Sequence, residues 1–131
     1  MPKHLTVFLV NPQSGKALDI NQNGHEDGTN IHLWELNHSN AQQWHINADG
    51  SIMNPHHHHK CLDIDHNGHD DGTNVHLWGH NSSAAQKFRF EHDGSIVHID
   101  SGKCIDVNGG SHENGANIHL WERNGSGAQK W

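Results

Sequence analysis

One stretch occurs three times in this chain, and that repetition constrains the fold more than any other feature. NIHLWELNHSNAQQW at Asn30–Trp44 returns as NVHLWGHNSSAAQKF at Asn74–Phe88 and as NIHLWERNGSGAQKW at Asn117–Trp131. Upstream of each copy stands a second fixed piece, ALDI at Ala17–Ile20, CLDI at Cys61–Ile64 and CIDV at Cys104–Val107. Asp19, Asp63 and Asp106 are 44 and 43 positions apart, and so are Trp34, Trp78 and Trp121. Three units of this length use nearly all of the 131 residues, which reads as one domain over 1–131 with repeats at about 1–47, 48–91 and 92–131. A unit this small cannot bury its apolar face alone, so the three are expected to share one core.

The units read as β-structure. Leu5–Val10 is a strand closed by Asn11-Pro12, and Ala17–Ile20 sets Leu18 and Ile20 on one face with Asp19 on the other. Asn21–Asn30 is a loop ending on the turn dipeptide Asp27-Gly28. In Ile31–Trp34 the same alternation buries Ile31 and Leu33 and turns His32 and Trp34 outwards. After a polar loop, Gln42 and Trp44 share a face of a fourth strand that runs to Ile46. Later copies turn at Asp71-Gly72, Asp93-Gly94 and Asn114-Gly115, and no sustained 3.6-residue apolar period suggests a helix. The expectation is an all-β protein of twelve short strands, four per unit. Counted round the end of the chain, Trp131 to Trp44 keeps the same period, so the termini should meet at a hairpin.

Composition excludes several classes. A hydrophobic content of 31% leans towards disorder, but the regular spacing of the apolar residues argues for a folded chain. Fifteen acids against eight bases give a net charge of −7, which argues against a nucleic-acid partner, since phosphate binding needs a positive surface. No apolar run approaches a membrane span, so no membrane insertion is expected. The opening MPKHLTVFLVNPQ lacks a small-residue cleavage site and reads as a strand. Cys61 and Cys104 occupy one repeat position, where the first unit has Ala17, and two cysteines are too few for a disulfide scaffold. A cytoplasmic location, or secretion without a classical signal peptide, fits both observations.

The triads Gln42-Gln43-Trp44, Gln86-Lys87-Phe88 and Gln129-Lys130-Trp131 close each copy of the LDI/IDV, DG/NG and HLW elements. In these the chain resembles the ricin-B-type (R-type) lectins, a β-trefoil family marked by a Gln-x-Trp in each of three repeats. The resemblance spans essentially the whole chain and implies a carbohydrate-binding trefoil. Two departures stand out. Phe88 replaces a Trp. The family's disulfide joins a Cys in the LDV strand to a Cys two residues after the HLW aromatic, and those second positions here are Leu36, His80 and Arg123. The bridges cannot form, so Cys61 and Cys104 are expected to be free thiols.

Trp34, Trp78 and Trp121 carry the strongest functional signal. A Trp is usually core, which suits Trp44 and Trp131, but alternation places these three indoles outside, where they need a partner. An indole face packs on the apolar C–H face of a pyranose. Asp19, Asp63 and Asp106 are also expected to point outwards. Each carboxylate could accept two hydroxyl hydrogen bonds or merely cap an Asx-turn. The resemblance makes this Asp the main sugar acceptor and gives Asn37, Asn81 and Asn124 a role at the same hydroxyls, against the plain alternative of loop asparagines. His32, His76 and His119 read as secondary sugar contacts or solvent-facing side chains. Gln42, Gln86 and Gln129 read as braces for the Asp or the backbone, because a buried amide must be satisfied.

Seventeen histidines include the run His56–His59 and the repeat positions His25, His69 and His112. Adjacent imidazoles can bind a transition metal, but a loop run lacks fixed geometry, so these read as solvated and no metal site is assigned. There is no nucleophile elbow, and the symmetric carboxylates come singly rather than in pairs, which reads as a non-enzyme needing no cofactor. The expected partners are galactose- or N-acetylgalactosamine-containing glycans, bound by a monomer or small homo-oligomer at up to three equivalent sites and leading to cell agglutination. Alternatives are a xylan- or other polysaccharide-binding module of a larger enzyme, or a metal-binding or structural trefoil.

Overall fold

Paired apolar residues across antiparallel strands build the molecule, seen in a computed structural model that describes residues 5–131. Residues 1–4, on which the reading of the opening segment partly rests, lie outside the described residues. The first sheet orders β1 (Val10–Asn11), β2 (Lys16–Ile20) and β3 (Ile31–Glu35) side by side. The second joins β4 (His45–Ile46), β5 (Ile52–Met53), β6 (Lys60–Ile64) and β7 (Val75–Gly79). The third joins β8 (Phe88–Phe90), β9 (Ile96–His98), β10 (Cys104–Val107) and β11 (Ile118–Trp121). The same register recurs in each: Leu18 opposes Leu33, Leu62 opposes Leu77, and Ile105 opposes Leu120. These residues join Ile20, Ile31, Ile64, Val75, Ile118, Trp44 and Phe88 in one buried cluster drawn from all three units.

Eleven strands stand among the described residues where twelve were expected; by the register of β8, the twelfth would begin at Trp131. No α-helix occurs among these residues, and none of the helical turns is long and apolar enough to cross a membrane. The strand expected over Leu5–Val10 is shorter, with Val7 bridging Trp44 before β1. Gln42 is not in a strand. It ends a one-turn 3-10 helix at Asn40–Gln42, repeated at Ala84–Gln86 and Gly127–Gln129. A second such set follows the inner strands, at Asn21–Asn23, Asp65–Asn67 and Asn108–Gly110.

Backbone hydrogen bonds pass from unit to unit in a closed cycle. Gly28 N–H donates to Leu77 O at 2.7 Å, Gly72 to Leu120 at 2.7 Å, and Gly115 back to Leu33 at 2.7 Å. These glycines sit at φ 89–92°, which is why each turn is Asp-Gly or Asn-Gly. Three side-chain amides form a smaller ring. Asn30 Nδ2 donates to Asn117 Oδ1 (2.8 Å), Asn117 to Asn74 (2.9 Å) and Asn74 to Asn30 (2.8 Å).

Among the described residues, the opening and closing segments of the chain are joined by a side chain, with no strand pairing between them. Asn11 Nδ2 donates to Gly127 O at 2.8 Å and Lys130 O at 2.9 Å, clasping the last turn to the first unit. Asn54 holds Asn40 O and Gln43 O in the same way, and His98 Nε2 reaches Ala84 O at 3.0 Å.

Candidate functional site

Asp19 and His32 face each other directly in the β2–β3 register, which brings His32 Nε2 to 2.7 Å from Asp19 Oδ1. A carboxylate only accepts, so the imidazole carries its proton on Nε2 and donates. Gln42 supplies the second oxygen's partner, Nε2 to Asp19 Oδ2 at 2.9 Å, and spends its other N–H on Glu35 O at 2.8 Å. Its Oε1 accepts from Asn37 N at 2.9 Å, and Asn37 Oδ1 accepts from Ser39 N at 3.0 Å. The other units repeat this network. His76 and Gln86 hold Asp63 at 2.8 and 2.9 Å, and His119 and Gln129 hold Asp106 at 2.8 and 2.9 Å.

Strand alternation predicts these aspartates and histidines to point outwards into solvent, but they are buried. Asp19, Asp63 and Asp106 are each 6% exposed and the histidines 7–8%. Alternation does set them opposite the core, but the 3-10 turns and the indoles roof that face. The histidines are not solvent-facing: each is buried and fixes its aspartate. The indoles do emerge: Trp34, Trp78 and Trp121 are 36%, 40% and 37% exposed. Each lies over the histidine two residues earlier, with ring centroids 5.3 Å apart and planes within 21–27°.

Each aspartate opens into a cleft. In the first unit Asp19, His32, Trp34 and Asn37 share it, in the second Asp63, His76, Trp78 and Asn81, and in the third Asp106, His119, Trp121 and Asn124. The opposite wall is the 3-10 turn after the Asp strand, a segment that reads in the sequence as plain loop. Gln22, Asn23, His66, Asn67, Gly109 and Gly110 there take left-handed backbone, φ 50–65°. Asn and Gly following an LDI strand were the available signal. The clefts are unequal, about 640, 290 and 490 Å³ in chain order.

Each of these walls lies against the hairpin of the next unit. His57 Nε2 stands 3.3 Å from Asn23 O, Asp100 Oδ2 accepts from Asn67 Nδ2 at 2.9 Å, and Gln13 Nε2 donates to Gly110 O at 3.3 Å. His57 is therefore not a solvated loop histidine: it is wholly buried. Asn54 Nδ2 serves two carbonyls, so its Oδ1 faces His57 Nδ1 at 2.7 Å and the proton sits on Nδ1. Burial pushes the His57 imidazole below its ordinary value, the Asn23 carbonyl pulls it back, and His25, His56 and His58 add repulsion. Elsewhere in the run, His56 Nε2 pairs with Gln43 Oε1 at 2.7 Å, and His25 packs on His57 at 4.1 Å. Among the described residues no group of three His, Cys, Asp or Glu side chains is placed to hold a metal ion.

Cys61 and Cys104 are free and buried, each directly across its strand pair from an exposed indole. Burial pushes the Cys61 thiol up to about 12 and raises Cys104 as well. Where the resembled family has its second half-cystine, His80 and Arg123 instead reach Asp49 and Asp93, both at 2.9 Å. Bonds from Ser51, then His80, hold Asp49 down at about 2.

A fixed, negatively charged acceptor beside an apolar plate suits a ligand with hydroxyls on one edge and C–H groups on one face. The family model for the ricin-type beta-trefoil lectin domain matches residues 5–131. A comparison with curated proteins finds no match. Among solved structures, the designed three-fold symmetric protein ThreeFoil is similar at TM-score 0.89 and 30% identity, over 95% of this chain and 94% of that one. The exo-β-1,3-galactanase 1,3Gal43A of Clostridium thermocellum follows at 0.87 and 31%, where 98% of this chain matches only 30% of the enzyme. The C-half of the earthworm R-type lectin, solved in complex with GalNAc, shares the fold at 0.82 and 19% identity, over 98% and 95% of the two chains. The three-unit arrangement is a β-trefoil.

Proposed function

Because the chain belongs to the ricin-type β-trefoil lectin family, whose domain binds carbohydrate, we propose that its ligands are glycans carrying galactose or N-acetylgalactosamine. The observation that carries this reading is the threefold recurrence of a buried, doubly braced aspartate beside a half-exposed indole. Galactose has an axial O4, which clears one ring face and leaves C3 to C6 as an apolar patch for Trp34, Trp78 or Trp121. O3 and O4 then lie together at the patch edge. A carboxylate offers about four acceptor positions; His32 and Gln42 use two on Asp19, so two are left for these hydroxyls. The histidine and glutamine act as positioning residues, and Asn37, Asn81 and Asn124 serve the rim. The earthworm lectin that shares this fold was solved with GalNAc, which supports the same ligand class.

A site with one indole and a few hydrogen bonds holds a monosaccharide weakly, with Kd on the order of 0.1–1 mM. Linking such sites gains about 10²–10⁴ in avidity where geometry allows, so a chain with three of them agglutinates cells bearing these glycans. Calorimetry with galactose, N-acetylgalactosamine, glucose, mannose and xylose tests the reading. Saturable heat is expected with the first two alone. Binding of xylose or mannose in their place would overturn it and point to a polysaccharide-binding module.

A further inference from the structure

The third site differs from the other two by a set of changes that belong together. Gln13, from the turn after β1, crosses to the cleft of the third unit and lines it with Asp106, Trp121 and Asn124. Its counterparts by repeat position, His57 and Asp100, do not line the first and second clefts: His57 is wholly buried behind Asn23, and Asp100 pairs with Asn67 and His69. Room for Gln13 comes from glycines found only here. A Cβ on Gly127 would collide with Gln13 Oε1 and stand 2.7 Å from its Cδ. The other units have Asn40 and Ala84 at that position. On the facing wall Gly109 and Gly110 replace Gln22-Asn23 and His66-Asn67, so those two positions offer backbone alone.

Gln13 Nε2 spends one N–H on Gly110 O at 3.3 Å, a long bond. Its second N–H and both lone pairs of Oε1 have no hydrogen-bond partner among the described residues, and the side chain is exposed. An uncommitted amide on a cleft rim, facing a pair of glycines, suits a substituent that projects beyond the sugar ring and carries its own amide. An acetamido group extends three bonds from the ring carbon and can donate its N–H to Oε1. A hydroxyl at the same carbon extends one bond and falls short of the rim.

We propose that Gln13 is a specificity residue of the third site, where its amide selects N-acetylated hexosamines over the unsubstituted hexose, while the first two sites do not discriminate. The proposal rests on the sugar-binding reading above. It is tested by following the indole N–H signals of Trp34, Trp78 and Trp121 during titration with galactose and with N-acetylgalactosamine. In the unaltered chain, Trp121 should respond at lower N-acetylgalactosamine concentration than Trp34 and Trp78, with no such difference for galactose. Gln13→Ala should raise the N-acetylgalactosamine Kd at Trp121 about threefold to tenfold, the size of one lost hydrogen bond, and leave galactose binding and the other sites unchanged. Gly127→Ala keeps the amide but displaces it, and should do the same. An equal loss for both sugars would make Gln13 a prop for the wall and overturn the proposal, as would no change at all. If none of the three indoles responds to either sugar, the sugar-binding reading itself fails and the proposal with it.

Discussion

Removing the Asp63 carboxylate would strip Gln86 and His76 of an acceptor in a site that is 6% exposed. A buried donor left unmet costs about 1–3 kcal/mol, so Asp63→Ala should lower the unfolding free energy by at least that much as well as empty its site. A urea titration that finds it as stable as the parent would show the aspartate to be a surface group, as alternation alone suggested. The thiols make a second test. Neither Cys61 nor Cys104 should react with a bulky thiol reagent in the native state, and two should appear on unfolding without reductant. Fast native labelling would contradict their burial. At this scale the sequence shows Trp34, Trp78 and Trp121 clearly, because strand alternation sets which face a side chain takes. It does not show how deep that face lies, since depth depends on what roofs it, and the roof comes from residues distant in the chain.

The hairpin joining β5 to β6 buries an imidazole, His57, and the last residue of β9, His98, carries another buried one. Both are held below the ordinary histidine value, first by burial, with the carbonyls of Asn23 and Ala84 acting in the opposite direction. Asp100 and Asp63 also pull His98 up, while His69 pushes it down. The unfolded chain therefore takes up protons that the native chain refuses. Their contribution to stability is whole above about pH 6.5 and is lost as the pH falls towards and through the lowered folded values. Urea midpoints should drop between about pH 7.5 and pH 5, and His57→Gln with His98→Gln should flatten the profile. A profile already flat in the parent would mean that these rings titrate freely. The strands themselves were legible because LDI and HLW alternate cleanly. The one-turn helices were not, because three residues are too few to show a period, and Gln42, Gln86 and Gln129 belong to them rather than to a strand.

Over the whole molecule, the three aspartate–indole sets are intact, so calorimetry with N-acetylgalactosamine should count three sites, and Asp63→Ala should reduce the count to two without altering the others. A single site in the parent would assign two of the sets to symmetry alone. The threefold plan was legible from the constant 43–44-residue offset, but the cyclic contacts that realise it were not, because no single repeat contains both partners of any of them. The amide ring shows this best. Asn74→Asp would replace the donor to Asn30 Oδ1 with a second acceptor and should cost about 1–3 kcal/mol, read as a lowered urea midpoint. In that ring each asparagine gives one hydrogen bond and takes one, all in the same rotational sense, so none can change without its two neighbours answering. Copies of a duplicated unit can drift apart wherever each answers only to itself, as the cleft walls at 21–23, 65–67 and 108–110 have done. At Asn30, Asn74 and Asn117 a change in one copy instead leaves the amides of the other two without their partners.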